Sequence, residues 1–241
     1  MRIILNRLLF LLILFLSCKS EITAEKLLKN SINAHGGEAL WEEMTSILYL
    51  KQTTFYDESG FIEEKKIQKI KHSWEPFETS IEWEDEGDIY FAYSNNNKVN
   101  FYINDILQND SIQLKKIDEL LKGAFYVFWQ PYNLLDNQTN LIYLGTENIL
   151  DSISVHVLKA SYSNQEKGDI WHYYFNTDNF KLQAAKVKHN EKESLILNET
   201  VELETGLFLN KIRKSYYLDS LGKIKYLRAA YSYEINYYKR D

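Results

Sequence analysis

Hydrophobic and polar residues alternate with a period of two over most of the chain, a pattern that predicts β-strands. The clearest case is 77–84, where Phe77, Thr79, Ile81 and Trp83 alternate with a serine and three glutamates. Similar stretches, separated by short turns rich in Gly, Asn and Asp, predict about eleven antiparallel strands. A sheet of that size has to curl, so we expect it to close or half-close into a barrel with one apolar and one solvated face.

Apolar residues recur at helical spacing in only two parts of the chain after its first 21 residues. The first is 22–34, where Thr23 is suited to be the N-cap and Gly36-Gly37 to end the helix. A short turn follows, and we expect Trp41 to lie over its rim. The apolar face of this first helix comprises Ala24, Leu27, Leu28, Ser31 and Ile32.

The second helical pattern, 110–135, is the longest and lies midway along the chain. Asp110 or Ser111 is suited to be its N-cap, and Pro131 follows its end. Its second half is apolar on almost every side, which is typical of a buried helix. The predicted fold is therefore mainly β (α+β), with an N-terminal helix and one central helix that the strands enclose. One face of the central helix comprises Ile117, Leu120, Leu121, Ala124, Phe125 and Phe128.

The first 17 residues have the pattern of a secretion signal, with basic residues at Arg2 and Arg7 and an apolar run over 8–16. A transmembrane helix is the alternative, although this run is about half of the roughly 20 residues that a span needs. Residues 15–18, Phe-Leu-Ser-Cys, resemble the lipobox of bacterial lipoproteins, with Phe15 in place of the usual Leu. An ordinary signal peptide followed by an incidental cysteine is the other reading. Lipidation of Cys18 would account for the lone cysteine, which has no partner for a disulfide within the chain.

This interpretation divides the chain into a signal peptide (1–17), a lipidated tether (18–22) and one domain (23–241). The two or three acyl chains that such lipoproteins bear on the cysteine make attachment stable, because a single chain is marginal. Residue 19 is Lys, not the Asp that retains enterobacterial lipoproteins at the inner membrane. We therefore expect an outer-membrane lipoprotein, on either the periplasmic or the surface leaflet.

Composition argues against a nucleic-acid partner. The formal net charge is −6, and no segment supplies the clustered Lys and Arg that phosphate binding requires. The 18 Tyr and 5 Trp suit sheets and binding sites with one wet edge, although codon bias would produce the same excess.

Candidate catalytic groups are few. No His-Glu-x-x-His spacing and no Gly-x-Ser-x-Gly motif occurs, although His156 and His172 lie on adjacent predicted strands and would be able to approach each other. The acidic turn 84–88 has oxygen ligands of the kind that calcium binds, but a solvated hairpin fits it better. We expect a non-catalytic protein without a metal or cofactor. The remaining histidines, His35, His72 and His189, are read as structural.

Two local sequences resemble a known superfamily. Residues 24–47, from Ala-Glu-Lys-Leu-Leu through His35-Gly36-Gly37 and Trp41, look like the opening of LolA/LolB-like lipoprotein carriers. Residues 125–134 with Tyr143-Leu144-Gly145 are similar to an uncharacterised family of bacteroidete lipoproteins. The resemblance implies a half-closed barrel with the N-terminal helix and the central helix on its concave side, where they cover a hydrophobic hollow that holds acyl chains. LolA is a soluble shuttle, so a lipid on Cys18 would favour a tethered binder.

The leading hypothesis is a tethered envelope lipoprotein that binds an acyl chain, a lipid or a lipoprotein lipid in this hollow. The alternative is a structural or assembly lipoprotein that binds a protein partner through its sheet, with the same apolar residues forming only a core. We expect the part of the central helix before Gly123 to be anchored and 124–135 to be a moving lid. The predicted cavity lining is Phe77, Ile81, Trp83, Val99, Phe101, Phe125, Phe128, Trp129, Trp171, Tyr173 and Phe175.

Overall fold

The computed structural model describes residues 22–96, 98–150, 152–162, 169–189 and 192–241. The predicted signal peptide and Cys18 lie outside these ranges. The described helices are α1 (Ala24–Ala34), α2 (Glu38–Glu42), α3 (Ser111–Phe128) and a 3₁₀ turn (Tyr132–Leu135). None of them has the length and apolar character that crossing a bilayer requires.

Within the described ranges all the strands form one antiparallel sheet. The strands are β1 (Met44–Tyr56), β2 (Ile62–Trp74), β3 (Phe77–Asp85), β4 (Asp88–Asn95), β5 (Lys98–Ile103), β6 (Ile106–Leu107), β7 (Thr139–Ile149), β8 (Ile153–Tyr162), β9 (Ile170–Asn176), β10 (Leu182–His189), β11 (Lys192–Val201), β12 (Asn210–Leu218) and β13 (Ile224–Arg240). Their order is β6-β5-β4-β3-β2-β1-β13-β12-β11-β10-β9-β8-β7. The ends, β6 and β7, do not pair, so the sheet is curved but open, as the half-barrel prediction requires.

The sheet has two strands more than the eleven predicted. One is β6, only two residues long, which follows a turn in which Asn104 and Asp105 have positive φ. The other is β7, of which the sequence pattern indicates only the short stretch 141–145, because the strand lies at the sheet edge, where few side chains are buried. Neither feature produces a strong hydrophobic pattern, which is why the sequence understates them.

The first and last strands of the chain join the two halves of the sheet. Strand β1 pairs with β13 from Met44 opposite Arg240 to Phe55 opposite Ala229. The acidic segment 84–88 forms the tight hairpin between β3 and β4, with Glu86 and Gly87 at positive φ, as a two-residue turn of this kind needs.

The helices lie against the concave face. The Thr23 side chain caps α1 by accepting from Lys26 N, and the Asp110 carboxylate caps α3 by accepting from Gln113 N. Both caps were predicted, and the α3 cap fixes Asp110 rather than Ser111. Trp41 does not lie over a rim: it is buried in the main core, and its Nε1 donates to His35 O at 2.8 Å. The rim prediction is wrong because Trp41 packs edge-on against Trp129 and stacks on Tyr132, with ring centroids 4.7 and 5.4 Å away.

Candidate functional site

The C-terminal half of α3 is the most firmly held part of the helix. The Phe128 ring stacks on Tyr49 of β1, with centroids 3.8 Å apart and planes 12° from parallel. Trp129, 1% exposed, packs between Trp41 at 4.7 Å and Trp74 at 4.4 Å between ring centroids. Aromatic groups from the chain segments before and after β1 therefore enclose the end of this helix.

Hydrogen bonds reinforce this packing. The Tyr126 and Tyr173 hydroxyls lie 2.7 Å apart, and Gln130 Nε2 donates to the Tyr173 hydroxyl at 3.1 Å. Asn133 Nδ2 donates to the carbonyls of Phe125 and Tyr126 in the last turn of the helix, and the Phe125 carbonyl also accepts from Trp129 N.

In the structure 124–135 is therefore packed, as its all-round apolar sequence indicated; that this segment moves as a lid stays a prediction. The most exposed part of α3 is its beginning, where Ile112 is 68% exposed.

Although α3 packs on the sheet, it does not fill the concave space, and a cavity lies on each flank. The outer cavity, about 480 Å³, lies between α3, the strands β3 and β4, and the segment leading into β7. Its apolar wall includes Phe77, Leu121 and Phe125, while Thr79, Ser94 and Gln138 supply polar groups.

The inner cavity, about 380 Å³, lies on the other flank, over the central strands of the sheet. Leu120, Gly123 and Val127 of α3 face Tyr49, Tyr233 and Trp171 of the sheet across it. Its polar lining consists of Lys51, Gln68, Glu119 and Arg213.

A third depression, about 720 Å³, lies between α1 and the segment 134–141. It is the largest of the three, but Glu25, Lys29, Glu38 and Asp136 line it together with apolar groups. Because these charged side chains belong to solvent-exposed positions, we interpret it as a surface groove rather than as a site for an apolar ligand.

The predicted lining residues divide into two groups. Phe77 and Phe125 border the outer cavity, and Trp171 borders the inner one. The other eight belong to the main core or pack against it, so they surround α3 without bordering either of these cavities; their role in ligand binding stays a prediction. They are Ile81, Trp83, Val99, Phe101, Phe128, Trp129, Tyr173 and Phe175.

Sequence reasoning missed the polar residues of the inner cavity. Arg213 and Gln68 lie on strands with polar side chains on both faces, so alternation does not reveal which face is concave. Only the strand register shows that these side chains lie on the concave face: Arg213 lies opposite Tyr231, and Gln68 lies opposite Lys51.

The histidines occupy separate positions. His72 is buried between Tyr49, whose hydroxyl is 3.1 Å from Nε2, and Thr79, whose hydroxyl is 2.9 Å from Nδ1. Burial lowers the pKa of His72 to about 3. Desolvation likewise lowers the pKa of His35 to about 4, although the nearby carbonyls of Phe208 and Leu207 oppose the shift. Two buried neutral imidazoles in hydrogen-bonded sites are structural elements of the core.

The predicted approach of His156 and His172 does not occur. His156 pairs with Phe175 and His172 with Lys159, an odd offset that places the two imidazoles on opposite faces of the sheet. His156 Nδ1 instead lies 3.0 Å from the Tyr143 hydroxyl. In the described part of the chain, no three His, Cys, Asp or Glu side chains form a group suited to a metal ion.

Comparisons with known proteins give a fold but no close relative. No protein-family profile and no curated protein sequence matches the chain. A LolA superfamily protein from Nitrosomonas europaea has a similar structure, with a TM-score of 0.55 and 10% identity, over 92% of this chain and 94% of that one. A DUF1329 family protein from Desulfovibrio piger is also similar, with a TM-score of 0.51 and 9% identity, over 90% and 93%. The curved open sheet with helices on its concave face is therefore a LolA-like fold.

Proposed function

We propose that the protein is a cell-envelope lipoprotein that binds an acyl chain or another hydrophobic molecule between α3 and the concave face of the sheet, without catalysing a reaction. In this proposal a lipid on Cys18 tethers the protein to the outer membrane. The similarity to a LolA superfamily protein and the lipobox-like leader support the envelope location.

The observation that carries the proposal is the pair of cavities that flank α3. Their volumes, about 480 and 380 Å³, fall within the range of small-molecule sites, and aromatic and aliphatic groups form much of their walls. Burying eight methylenes of an acyl chain would contribute about 6 kcal/mol before the costs of ordering are subtracted. Such a ligand needs no cofactor and no titrating group.

Native mass spectrometry of residues 22–241, which include every element of the described fold, tests the proposal. We expect a fraction of the protein purified from bacteria to carry a bound lipid, and the emptied protein to bind a fluorescent fatty acid. A protein that is always empty, and that ignores both fatty acids and lipopeptides, would contradict the proposal.

A second candidate is the structural or assembly role, for which the convex face offers an observation. Phe91 and Tyr93 of β4 and Tyr102 of β5 form an aromatic cluster there, with ring centroids 5.8 to 6.5 Å apart. If this cluster binds a protein, crosslinking in intact envelopes should yield one stoichiometric partner, and Phe91→Ser should abolish the crosslink. A variant that no longer binds lipid but still crosslinks to the partner would favour this second role.

A further inference from the structure

Arg213 is a buried cation with few partners. Strand β12 places it on the concave face, where it is 2% exposed and its Nε donates to Asn198 Oδ1 at 2.9 Å. That is one of the five N–H groups of a guanidinium. None of the carboxylates in the described ranges forms an ion pair with it.

Among the described residues, one other Asp, Glu, Lys or Arg side chain is buried, and it has a full set of hydrogen-bond partners. Glu202, 4% exposed, accepts hydrogen bonds from the Thr205 hydroxyl and from the backbone N–H groups of Glu204, Thr205 and Leu209, at 2.6 to 3.0 Å. A buried charge costs several kcal/mol unless such bonds replace its hydration. The fold satisfies the buried anion and leaves most donors of the buried cation for another partner.

Those donors face the inner cavity. Arg213 lines it together with Gln68, which is 4% exposed and whose side-chain amide makes no hydrogen bond to the described residues. Lys51 adds a second cation, with its Nζ 5.6 Å from the centre of the Tyr231 ring. The one acid of the lining, Glu119, is exposed on α3 and forms no ion pair with either cation in the described structure.

A planar guanidinium suits an oxyanion, because carboxylate and phosphate accept two parallel N–H···O bonds from it, and Gln68 adds an amide donor to the lining of the same cavity. The rest of the inner cavity is apolar and aromatic, with Tyr49, Val127 and Trp171 among its walls. A free inorganic anion would leave those walls unused, whereas an apolar ligand without a charge would leave Arg213 unpaired.

We propose that the inner cavity is the headgroup end of the ligand site and that Arg213, with Gln68 and Lys51, binds the oxyanion of an acidic amphiphile, a carboxylate or phosphate attached to an acyl chain. This proposal rests on the proposed function and adds the chemical class of the ligand.

The test compares two probes with the same fluorescent C18 chain, of which only one carries a charge: cis-parinaric acid and its methyl ester. Titration into residues 22–241 should show tighter binding of the acid, by tenfold or more. Arg213→Gln should remove that preference, because it should weaken the binding of the acid and leave the binding of the ester unchanged. Arg213→Lys, which keeps the charge without the planar fork, should retain part of it.

Lys214→Gln is the matched control, because Lys214 is the next residue of β12, points to the convex face and pairs there with Glu199 at 2.8 Å. It should leave the preference intact. Thermal unfolding by circular dichroism verifies that each variant folds. If Arg213→Gln does not fold, Gln68→Leu takes its place and should reduce the acid preference.

The outcomes separate the two proposals. Binding of neither probe overturns the hydrophobic-ligand function and this inference with it. Equal binding of acid and ester, or an equal loss of both in Arg213→Gln, leaves the ligand function standing and overturns the role of Arg213. Competition by dioctanoyl phosphatidic acid identifies a phosphate headgroup as an accepted source of the oxyanion. Full displacement of the acid by inorganic phosphate alone would overturn the inference that the ligand is an amphiphile.

Discussion

Gly36 lies so close to the carbonyl oxygen of Gly206 that a Cβ built on it would be 2.4 Å from that oxygen. The contact joins the end of α1 to the loop between β11 and β12, two segments far apart in the chain. Gly36 also has φ +94°, a conformation that other residues adopt only with strain.

Gly36→Ala should therefore lower the free energy of unfolding by roughly 2 to 5 kcal/mol, the sum of backbone strain and overpacking. Urea denaturation measures it. Gly37→Ala is the matched control, because Gly37 also has a positive φ, +86°, but no atom within 4 Å of its added Cβ, so it should lose only the backbone strain of about 1 to 3 kcal/mol. Equal losses in the two variants would show that the contact with Gly206 is not tight.

Trp129→Ala tests whether the end of α3 is core or lid. Because Trp129 is enclosed by Trp41 and Trp74, we expect a loss of about 3 to 5 kcal/mol of unfolding free energy. Phe77→Ala, at the edge of the outer cavity and 47% exposed, should cost clearly less. A stable Trp129→Ala variant with weakened ligand binding would support the lid interpretation.

A large side chain introduced at Gly123 of α3 would fill the inner cavity. It lies within the helix, and its added Cβ would meet no atom within 4 Å. Gly123→Ala should raise stability by about 0.5 to 1 kcal/mol, because Gly is a poor helix former. Gly123→Trp, which projects a large ring toward the cavity, should instead weaken cis-parinaric acid binding at least tenfold. If Gly123→Trp binds the acid like Gly123→Ala, the ligand does not occupy the inner cavity.

His72 makes stability dependent on pH. Burial lowers its pKa to about 3 in the folded protein, against about 6.5 in the unfolded chain. Between these values the unfolded chain binds a proton that the folded protein excludes, so the stability is present above pH 6.5 and is lost as pH falls toward 3. His72 alone should remove roughly 2 kcal/mol between pH 7 and pH 5.

Urea denaturation of the parent and of His72→Gln at several pH values measures this effect. The variant should show a shallower slope between pH 5 and 6.5, while the two curves run parallel above pH 7. His35, whose pKa burial lowers to about 4, adds a dependence of the same sign in both proteins. If stability depends on pH identically in the two proteins, His72 takes up a proton in the folded state as readily as in the unfolded chain.

The proposed membrane anchor depends on Cys18. If it carries a lipid, Cys18→Ser should move the protein from the membrane fraction to the soluble fraction, because an anchor of two or more acyl chains is lost. Fractionation with an aggregation control measures it, and Ser17→Ala, next to the site, should leave the protein with the membranes. A Cys18→Ser protein that still sediments with membranes would contradict the lipid anchor.

The sequence by itself determined the elements and their faces. Alternation along β3 placed Ile81 and Trp83 on the buried face, and the caps at Thr23 and Asp110 set the beginnings of α1 and α3. These features depend on residues within a few positions of one another, so a local pattern carries them.

Only the tertiary structure decided what the concave face contains. The inner cavity combines Lys51 and Gln68 from β1 and β2 with Arg213 from β12, and the register that brings them together is set by the pairing of β1 with β13, near opposite ends of the chain. The same register separates His156 from His172, and packing between distant segments encloses Trp129. Contacts between residues so far apart leave no periodic trace in the sequence, because each strand is compatible with several neighbours until the whole sheet forms and curves around α3.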